Sequence, residues 1–138
     1  MIMVLLADDH RMVREGLRHI LEEPGDIQIT ALVSNGQEAV EQALQACPDV
    51  AVIDVSMPVM NGIEAARQIH SNCPHTHVVM LSMYETANYV QGALNAGALG
   101  YVLKDAAGNE LVEAVRAAHR GDKYFSPTIA EIVKRLPK

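Results

Sequence analysis

The chain is poor in basic residues and has no long apolar run. Its 11 Lys and Arg face 17 acidic residues, a net charge of −6, so it has no basic field with which to hold a phosphate backbone. A membrane helix needs about eighteen consecutive apolar residues, and none are found. The first seven residues lack the positive segment and the length of a signal peptide. We therefore expect a cytoplasmic protein whose residues 1–138 bind neither membrane nor nucleic acid by themselves.

Cysteine is also scarce. The two cysteines, Cys47 and Cys73, each stand directly before a proline at what is predicted to be the end of a helix. Two cysteines are too few to indicate a disulfide framework or a structural zinc site. We expect plain, half-buried thiols in preference to a disulfide or a metal site.

What the sequence contains is a regular alternation of short apolar runs with longer amphipathic segments. The 138 residues suit one domain with one core. Apolar runs at residues 2–7, 27–33, 50–53, 77–81 and 99–103 alternate with five segments of helical period. Strands joined by helices of this length must be parallel, and right-handed crossovers place helices on both faces of the sheet. The pattern predicts an α/β fold with a doubly wound, five-stranded parallel sheet.

The last residues differ from this pattern. Ser126 and Pro127 suit the cap and first position of a further helix, whose apolar stripe of Ile129, Ile132, Val133 and Leu136 needs a partner. We assign residues 1–120 to the main domain and residues 121–138 to a linker or terminal helix. Two interpretations stay open: a segment leading to a second domain, and a frayed terminal helix.

Polar side chains stand at the C-terminal ends of four predicted strands, where a doubly wound sheet forms its ligand crevice. The first strand runs into Asp8 and Asp9, the third into Asp54, the fourth into Ser82 and the fifth into Lys104. Three neighbouring carboxylates repel one another, and a hard divalent cation such as Mg²⁺ relieves that repulsion. Lys104 and Ser82 would hold a phosphate, and an aspartate can attack phosphorus to form an acyl phosphate. Asp54 is favoured as the nucleophile because it is a single carboxylate after an apolar strand, although chemistry alone does not decide.

The motifs around these residues resemble the receiver domains of two-component response regulators. They are the segments at residues 7–10, 54–62, 81–82 and 100–105, in the order of that family, and the resemblance covers about residues 2–120. Residues 81–84 and 104–106 are most similar to the NarL/LuxR-type subfamily, whose full-length members carry a C-terminal helix-turn-helix DNA-binding domain. The resemblance implies the flavodoxin-like strand order 2-1-3-4-5.

The resemblance also implies a role for each residue. Asp54 would accept phosphate from a sensor histidine kinase. Asp9 and Asp54 would ligate Mg²⁺ with their side chains, Ser56 with its backbone carbonyl, and Asp8 mainly through water. Ser82 and Tyr101 would be the switch residues. Homodimerisation on phosphorylation is a family expectation, and DNA would be bound only through the C-terminal domain.

Three rival functions fit the sequence less well. A phosphatase of the haloacid dehalogenase type needs a second acid two residues after the nucleophile, where this chain has Ser56. A flavin or dinucleotide module would show a glycine-rich G-x-G-x-x-G turn after the first strand, which is missing. A degenerate receiver that only binds proteins would lack some of the residues needed for phosphorylation, whereas Asp9, Asp54, Ser82 and Lys104 are all present here. We therefore predict a regulator, not a metabolic enzyme.

Overall fold

The computed structural model describes residues 1–137 and shows strands and helices in strict alternation. The strands are β1 (Ile2–Ala7), β2 (Ile27–Val33), β3 (Val50–Asp54), β4 (His77–Ser82), β5 (Gly100–Leu103) and β6 (Tyr124–Phe125). The helices are α1 (Arg11–Glu22), α2 (Gly36–Gln45), α3 (Gly62–Asn72), α4 (Ala87–Asn95), α5 (Ala107–His119) and α6 (Pro127–Arg135), with a 3-10 turn at Lys104–Ala106 before α5.

The sheet is parallel throughout, in the order β2-β1-β3-β4-β5-β6. The predicted order 2-1-3-4-5 is confirmed for the first five strands. The predicted number of strands was wrong by one, because β6 adds a sixth strand beside β5. With two residues, β6 is too short to leave a periodic signal in the sequence.

Two apolar layers flank the sheet because successive side chains of a strand point to opposite faces. In β1, Leu5 packs into a core shared with α2, α3, α4 and α6, whereas Leu6 packs into a second core with α1 and α5. Every residue of β3 is buried, as expected of a central parallel strand covered on both faces. None of the helices formed by residues 1–137 is long and apolar enough to cross a membrane.

Asparagines begin the two helices that border β3. Asn35 caps α2 and Asn61 caps α3, each accepting a hydrogen bond of 2.9 Å from a backbone N–H three residues on. The glycines that follow are required by close approach. A Cβ at Gly36 would overlap the carbonyl oxygen of Met60, and one at Gly62 would overlap that of Asp54. These contacts fix the loop that follows β3.

The C-terminal segment is packed onto the rest of the domain. As predicted, Ser126 and Pro127 are the cap position and first residue of α6, and Ile129 is fully buried in the core that α4 also lines. The Ser126 hydroxyl does not cap the helix. It donates to Glu110 at 2.7 Å and accepts from the backbone N–H of Leu103 at 3.0 Å. The apolar stripe of α6 therefore finds its partner within residues 1–137, and the core continues past the boundary assigned at residue 120.

The expectation of two free thiols was wrong, because Cys47 and Cys73 form a disulfide. Their Cα atoms lie 5.8 Å apart, within the range that a disulfide spans. Cys47 follows α2 and Cys73 ends α3, and these neighbouring helices run in the same direction, so both cysteines lie at the same end of the domain. A sequence read one helix at a time does not show that two helix ends meet.

Candidate functional site: an acidic crevice at the carboxyl edge of the sheet

The residues predicted to act together meet at one edge of the sheet. Asp8 and Asp9 follow β1, Asp54 ends β3, Ser82 ends β4, and Lys104 follows β5. One oxygen from each of the three aspartates, together with a ring nitrogen of His10, lies within 4.8 Å of all the others. The parallel sheet therefore brings Asp8 and Lys104, which are 96 positions apart in the chain, into one cluster.

Lys104 is the cation of this cluster. Its Nζ donates to Oδ2 of Asp54 at 2.8 Å and lies 3.2 Å from Oδ2 of Asp8. Burial disfavours the charged ammonium, but the hydrogen bond to Asp54 and the charges of both carboxylates outweigh burial and raise the pKa of Lys104 above its ordinary value. Lys104 therefore stays protonated across the neutral range.

Asp54 is held in place from two sides. Its Oδ1 accepts a hydrogen bond of 3.2 Å from the backbone N–H of Ser56, and its Oδ2 accepts from Lys104. The residue is only 2% exposed. Desolvation by burial raises the pKa of Asp54 above its ordinary value, and the charge of Asp8 adds to this increase, although Lys104 opposes it. Burial thus disfavours the ionised form of Asp54.

Two carboxylate oxygens of the cluster lack hydrogen bonds. Oδ2 of Asp8 and Oδ1 of Asp9 are buried, and no donor among residues 1–137 meets them with hydrogen-bonding geometry. The Lys104 ammonium lies 3.2 Å from the first oxygen, and Nδ1 of His10 lies 3.1 Å from the second. Buried carboxylate oxygens without donors are costly, and a divalent cation with oxygen ligands would satisfy them. The residues present therefore fit Mg²⁺.

The cluster opens into a crevice of about 220 Å³. Seven residues line it: Asp9, His10, Asp54, Ser56, Met83, Tyr84 and Lys104. Asp54 is one of these lining residues, so a phosphoryl group in the crevice would lie beside its carboxylate. His10 and the β4–α4 loop residues Met83 and Tyr84 line the crevice but were not predicted to belong to this site. The position of His10 directly after the two acids was the available signal.

Ser82 and Tyr101 both bond to the β4–α4 loop through Tyr84. Ser82 is fully buried, and its Oγ accepts a hydrogen bond of 2.8 Å from the backbone N–H of Tyr84. The Tyr101 ring is also buried, and its hydroxyl donates to the backbone carbonyl of Tyr84 at 2.8 Å. The ring of Tyr84 stacks on that of Tyr89, with centroids 4.4 Å apart. One loop residue thus connects both predicted switch residues to α4.

The chain is similar to known proteins over nearly its whole length. Residues 4–116 match the response regulator receiver domain family. An uncharacterized transcriptional regulatory protein of Bacillus subtilis, YxjL, is 42% identical over 96% of this chain and 61% of its own length. The oxygen regulatory protein NreC of Staphylococcus carnosus is 38% identical over 90% of this chain and 58% of its own length.

Solved structures also match the fold of this chain. The crystal structure of a LuxR-family two-component response regulator from an Aurantimonas species superposes with a TM-score of 0.91 at 32% identity, covering 96% of this chain and 95% of that one. The present chain spans about three-fifths of the curated relatives it matches.

Proposed function

Because the chain belongs to the receiver-domain family of two-component response regulators, we propose that it accepts a phosphoryl group on Asp54 and thereby switches an output. The donor is the phosphohistidine of a sensor histidine kinase. The role of the domain is regulatory: its only chemistry is the phosphorylation and dephosphorylation of its own aspartate.

The observation that carries this proposal is the placement of Asp54. It ends the central strand, lines the crevice, and lies 2.8 Å from an ammonium group through Oδ2. A carboxylate oxygen attacks the phosphorus, the bond to the donor nitrogen breaks, and an acyl phosphate forms. Lys104 then neutralises part of the added negative charge, since its side chain reaches both Asp54 and Asp8. Positioning and charge neutralisation are the main contributions that a protein makes to phosphoryl transfer.

Magnesium would be held by the side chains of Asp9 and Asp54 and by the backbone carbonyl of Ser56, with Asp8 acting mainly through water. When bound, the ion neutralises charge that would otherwise repel the phosphoryl donor. Asp8 is fully buried and shares Lys104 with Asp54, so it also keeps that ammonium group at the crevice. The unpartnered oxygens of Asp8 and Asp9 support this assignment.

The switch runs through Ser82, Tyr84 and Tyr101. In its bond with Tyr84 the Ser82 oxygen is the acceptor, so that bond leaves the O–H of Ser82 able to donate to a phosphoryl oxygen. Movement of Ser82 toward the phosphate would change the Tyr84 backbone, whose carbonyl receives the Tyr101 hydroxyl. A change of the Tyr101 rotamer would then alter the surface of α4, β5 and α5, as a population shift between two states.

The output is transcription, by analogy with the relatives. YxjL is described as a transcriptional regulatory protein, and this chain spans 61% of its length. We propose that the full-length protein carries a C-terminal DNA-binding domain, that phosphorylation favours a homodimer, and that the protein acts in the cytoplasm. The net charge of −6 leaves DNA binding to that further domain.

The test is the intact mass of the protein after incubation with acetyl phosphate, with MgCl₂ or with EDTA. A gain of one phosphoryl group is expected with MgCl₂ only, and it should be lost in Asp54→Asn. Asp122→Asn is the matched control, because it removes an exposed carboxylate far from the crevice and should behave as wild type. If no mass is gained under any condition, the domain is a protein-binding module without phosphoryl chemistry; if Asp54→Asn gains the same mass, another residue is the acceptor.

A further inference from the structure

The disulfide between Cys47 and Cys73 has two unequal ends. Cys47 is exposed, whereas Cys73 is 1% exposed and packs in the core between α2 and α3. A small thiol or peroxide in solution can therefore reach the sulfur of Cys47 without unfolding the domain. The sulfur of Cys73 is accessible only to its bonded partner.

The two cysteines are held together by contacts that do not depend on the disulfide. The buried hydroxyl of Thr76 donates to the carbonyl of Pro48, the residue after Cys47, at 2.6 Å, and the Thr76 N–H donates to the carbonyl of Cys73 at 2.9 Å. The Cys73 sulfur also lies 3.4 Å from the carbonyl oxygen of Ala43, so a reduced thiol there has an acceptor. A reduced chain would keep both sulfurs adjacent and ready to react.

The bond lies at the end of the sheet opposite the acidic crevice. Cys47 precedes the first residue of β3 and Cys73 precedes β4, while Asp54 is the last residue of β3. The covalent loop that it closes spans 26 positions and includes β3, Asp54 and the whole of α3. The bond thus constrains the segment that carries Asp54 without contacting the carboxylate.

We propose that Cys47 and Cys73 are a reversible dithiol–disulfide pair that responds to peroxide, a modification site separate from Asp54. The thiolate of Cys47 attacks one oxygen of hydrogen peroxide; the O–O bond breaks, the sulfur becomes a sulfenic acid and water is released. The Cys73 sulfur then attacks the Cys47 sulfur, the S–O bond breaks, and a second water leaves. Two thiols lose two electrons and two protons, and one peroxide is reduced to two waters.

The order of the two steps follows from burial. A thiolate, not a thiol, is the nucleophile, and apolar surroundings disfavour it. Exposed Cys47 reacts first, and buried Cys73 resolves the sulfenic acid. Reduction is a thiol–disulfide exchange. A small dithiol attacks the sulfur of Cys47, because that is the exposed end of the bond, and the S–S bond breaks with Cys73 leaving as a thiolate; the second thiol of the dithiol then displaces Cys47 and the dithiol is released as its own disulfide.

The first experiment follows the thiols by mass. Fully reduced protein is treated with hydrogen peroxide, quenched in acid, and alkylated under denaturing conditions. Wild type should lose the mass of two hydrogens, take up no alkyl group, and yield a Cys47–Cys73 crosslinked peptide; dithiothreitol should restore both thiols in the folded protein. With dimedone, a sulfenic acid trap, Cys73→Ser should gain one adduct on Cys47, and Cys47→Ser should gain markedly less. Thiols that remain fully alkylated, a crosslink between chains, or equal adducts on the two variants would each overturn the proposal.

The second experiment measures the consequence for stability. Closing a loop of this length should raise the Tm of wild type by roughly 10 °C over the reduced form, and Cys47→Ser should show no difference between oxidising and reducing buffers. An unchanged Tm in wild type would contradict a disulfide that closes this loop in the unfolded chain.

The test also separates this site from the phosphoryl chemistry. Asp54→Asn should form the disulfide as wild type does, and wild type should gain a phosphoryl group from acetyl phosphate in both redox forms. Loss of one chemistry with retention of the other shows which of the two assignments fails.

Discussion

Replacing Asp54 by asparagine should stabilise the domain in the absence of metal. Each of Asp8 and Asp9 has an oxygen within 4.8 Å of one on Asp54, and at an effective dielectric constant of about 20 each repulsion costs about 3.5 kcal/mol. The attraction between Lys104 and Asp54 across 2.8 Å contributes about 6 kcal/mol on the same scale. The two repulsions and the one attraction nearly cancel. The cost of desolvating the Asp54 carboxylate, which is 2% exposed, is therefore left uncompensated.

We therefore expect Asp54→Asn to raise the free energy of unfolding by about 1–3 kcal/mol in EDTA at neutral pH, since a buried carboxylate without full compensation costs several kcal/mol at most. The assay is urea unfolding followed by far-UV circular dichroism, with the slope of the transition checked for constancy. Asp122→Asn, in which an exposed pair is broken, should change stability by less than about 0.5 kcal/mol.

Magnesium should narrow the difference in stability between wild type and Asp54→Asn. At about 100 times its Kd the ion stabilises a protein that binds it only when folded by about 2.7 kcal/mol, and the variant, with one carboxylate fewer, should gain less. The reasoning fails if Asp54→Asn is no more stable than wild type in EDTA, because the Lys104 pair would then outweigh repulsion and burial. It also fails if MgCl₂ stabilises both proteins equally.

Two further predictions concern pH and the last helix. Burial raises the pKa of Asp54 above its ordinary 3.8, so the folded state binds the Asp54 proton more tightly than the unfolded chain does. This proton binding stabilises the fold fully below pH 3.8, and the stabilisation is lost as the pH rises through the pKa of Asp54 in the folded state. The stability advantage of Asp54→Asn in EDTA should therefore grow over that window, and urea unfolding across a pH series would show a flat difference if the pKa were not raised. Ile129 is fully buried, so Ile129→Ala should cost about 2–4 kcal/mol in the same assay, whereas Thr128→Ala, on the exposed side of α6, should cost little; equal effects would mean that α6 does not share the core.

The sequence predicted most of the fold because the fold is periodic. Strands β1 and β2 occupy the predicted residues 2–7 and 27–33, and Asn-Gly pairs, which are common helix-start signals, begin α2 and α3. The strand order came from resemblance, and the structure and the comparisons confirm it together with the LuxR-type family. Strand β6 was not predicted because a strand of two residues is too short to show a periodic pattern of apolar residues.

The site was predicted in position but not in detail. The sequence indicates which side chains follow each strand, and a parallel sheet then gathers Asp8, Asp54 and Lys104 at one edge. The bonds of Ser82 and Tyr101 to the backbone of Tyr84 depend on the path of a loop, which no residue pattern specifies. The disulfide was missed for a related reason, since it joins the ends of two helices that are adjacent only in space.

Gly36 and Gly62 set a limit on how this protein can vary. Neither glycine is part of the acidic crevice, yet each faces a backbone carbonyl, of Met60 and of Asp54 respectively, that cannot give way as a side chain would. Gly108, in contrast, has open space around it. In a saturation library selected only for folding, we expect positions 36 and 62 to return glycine almost alone, while position 108 returns many residues. The loop that carries the acceptor is thus held to its path by the absence of two side chains.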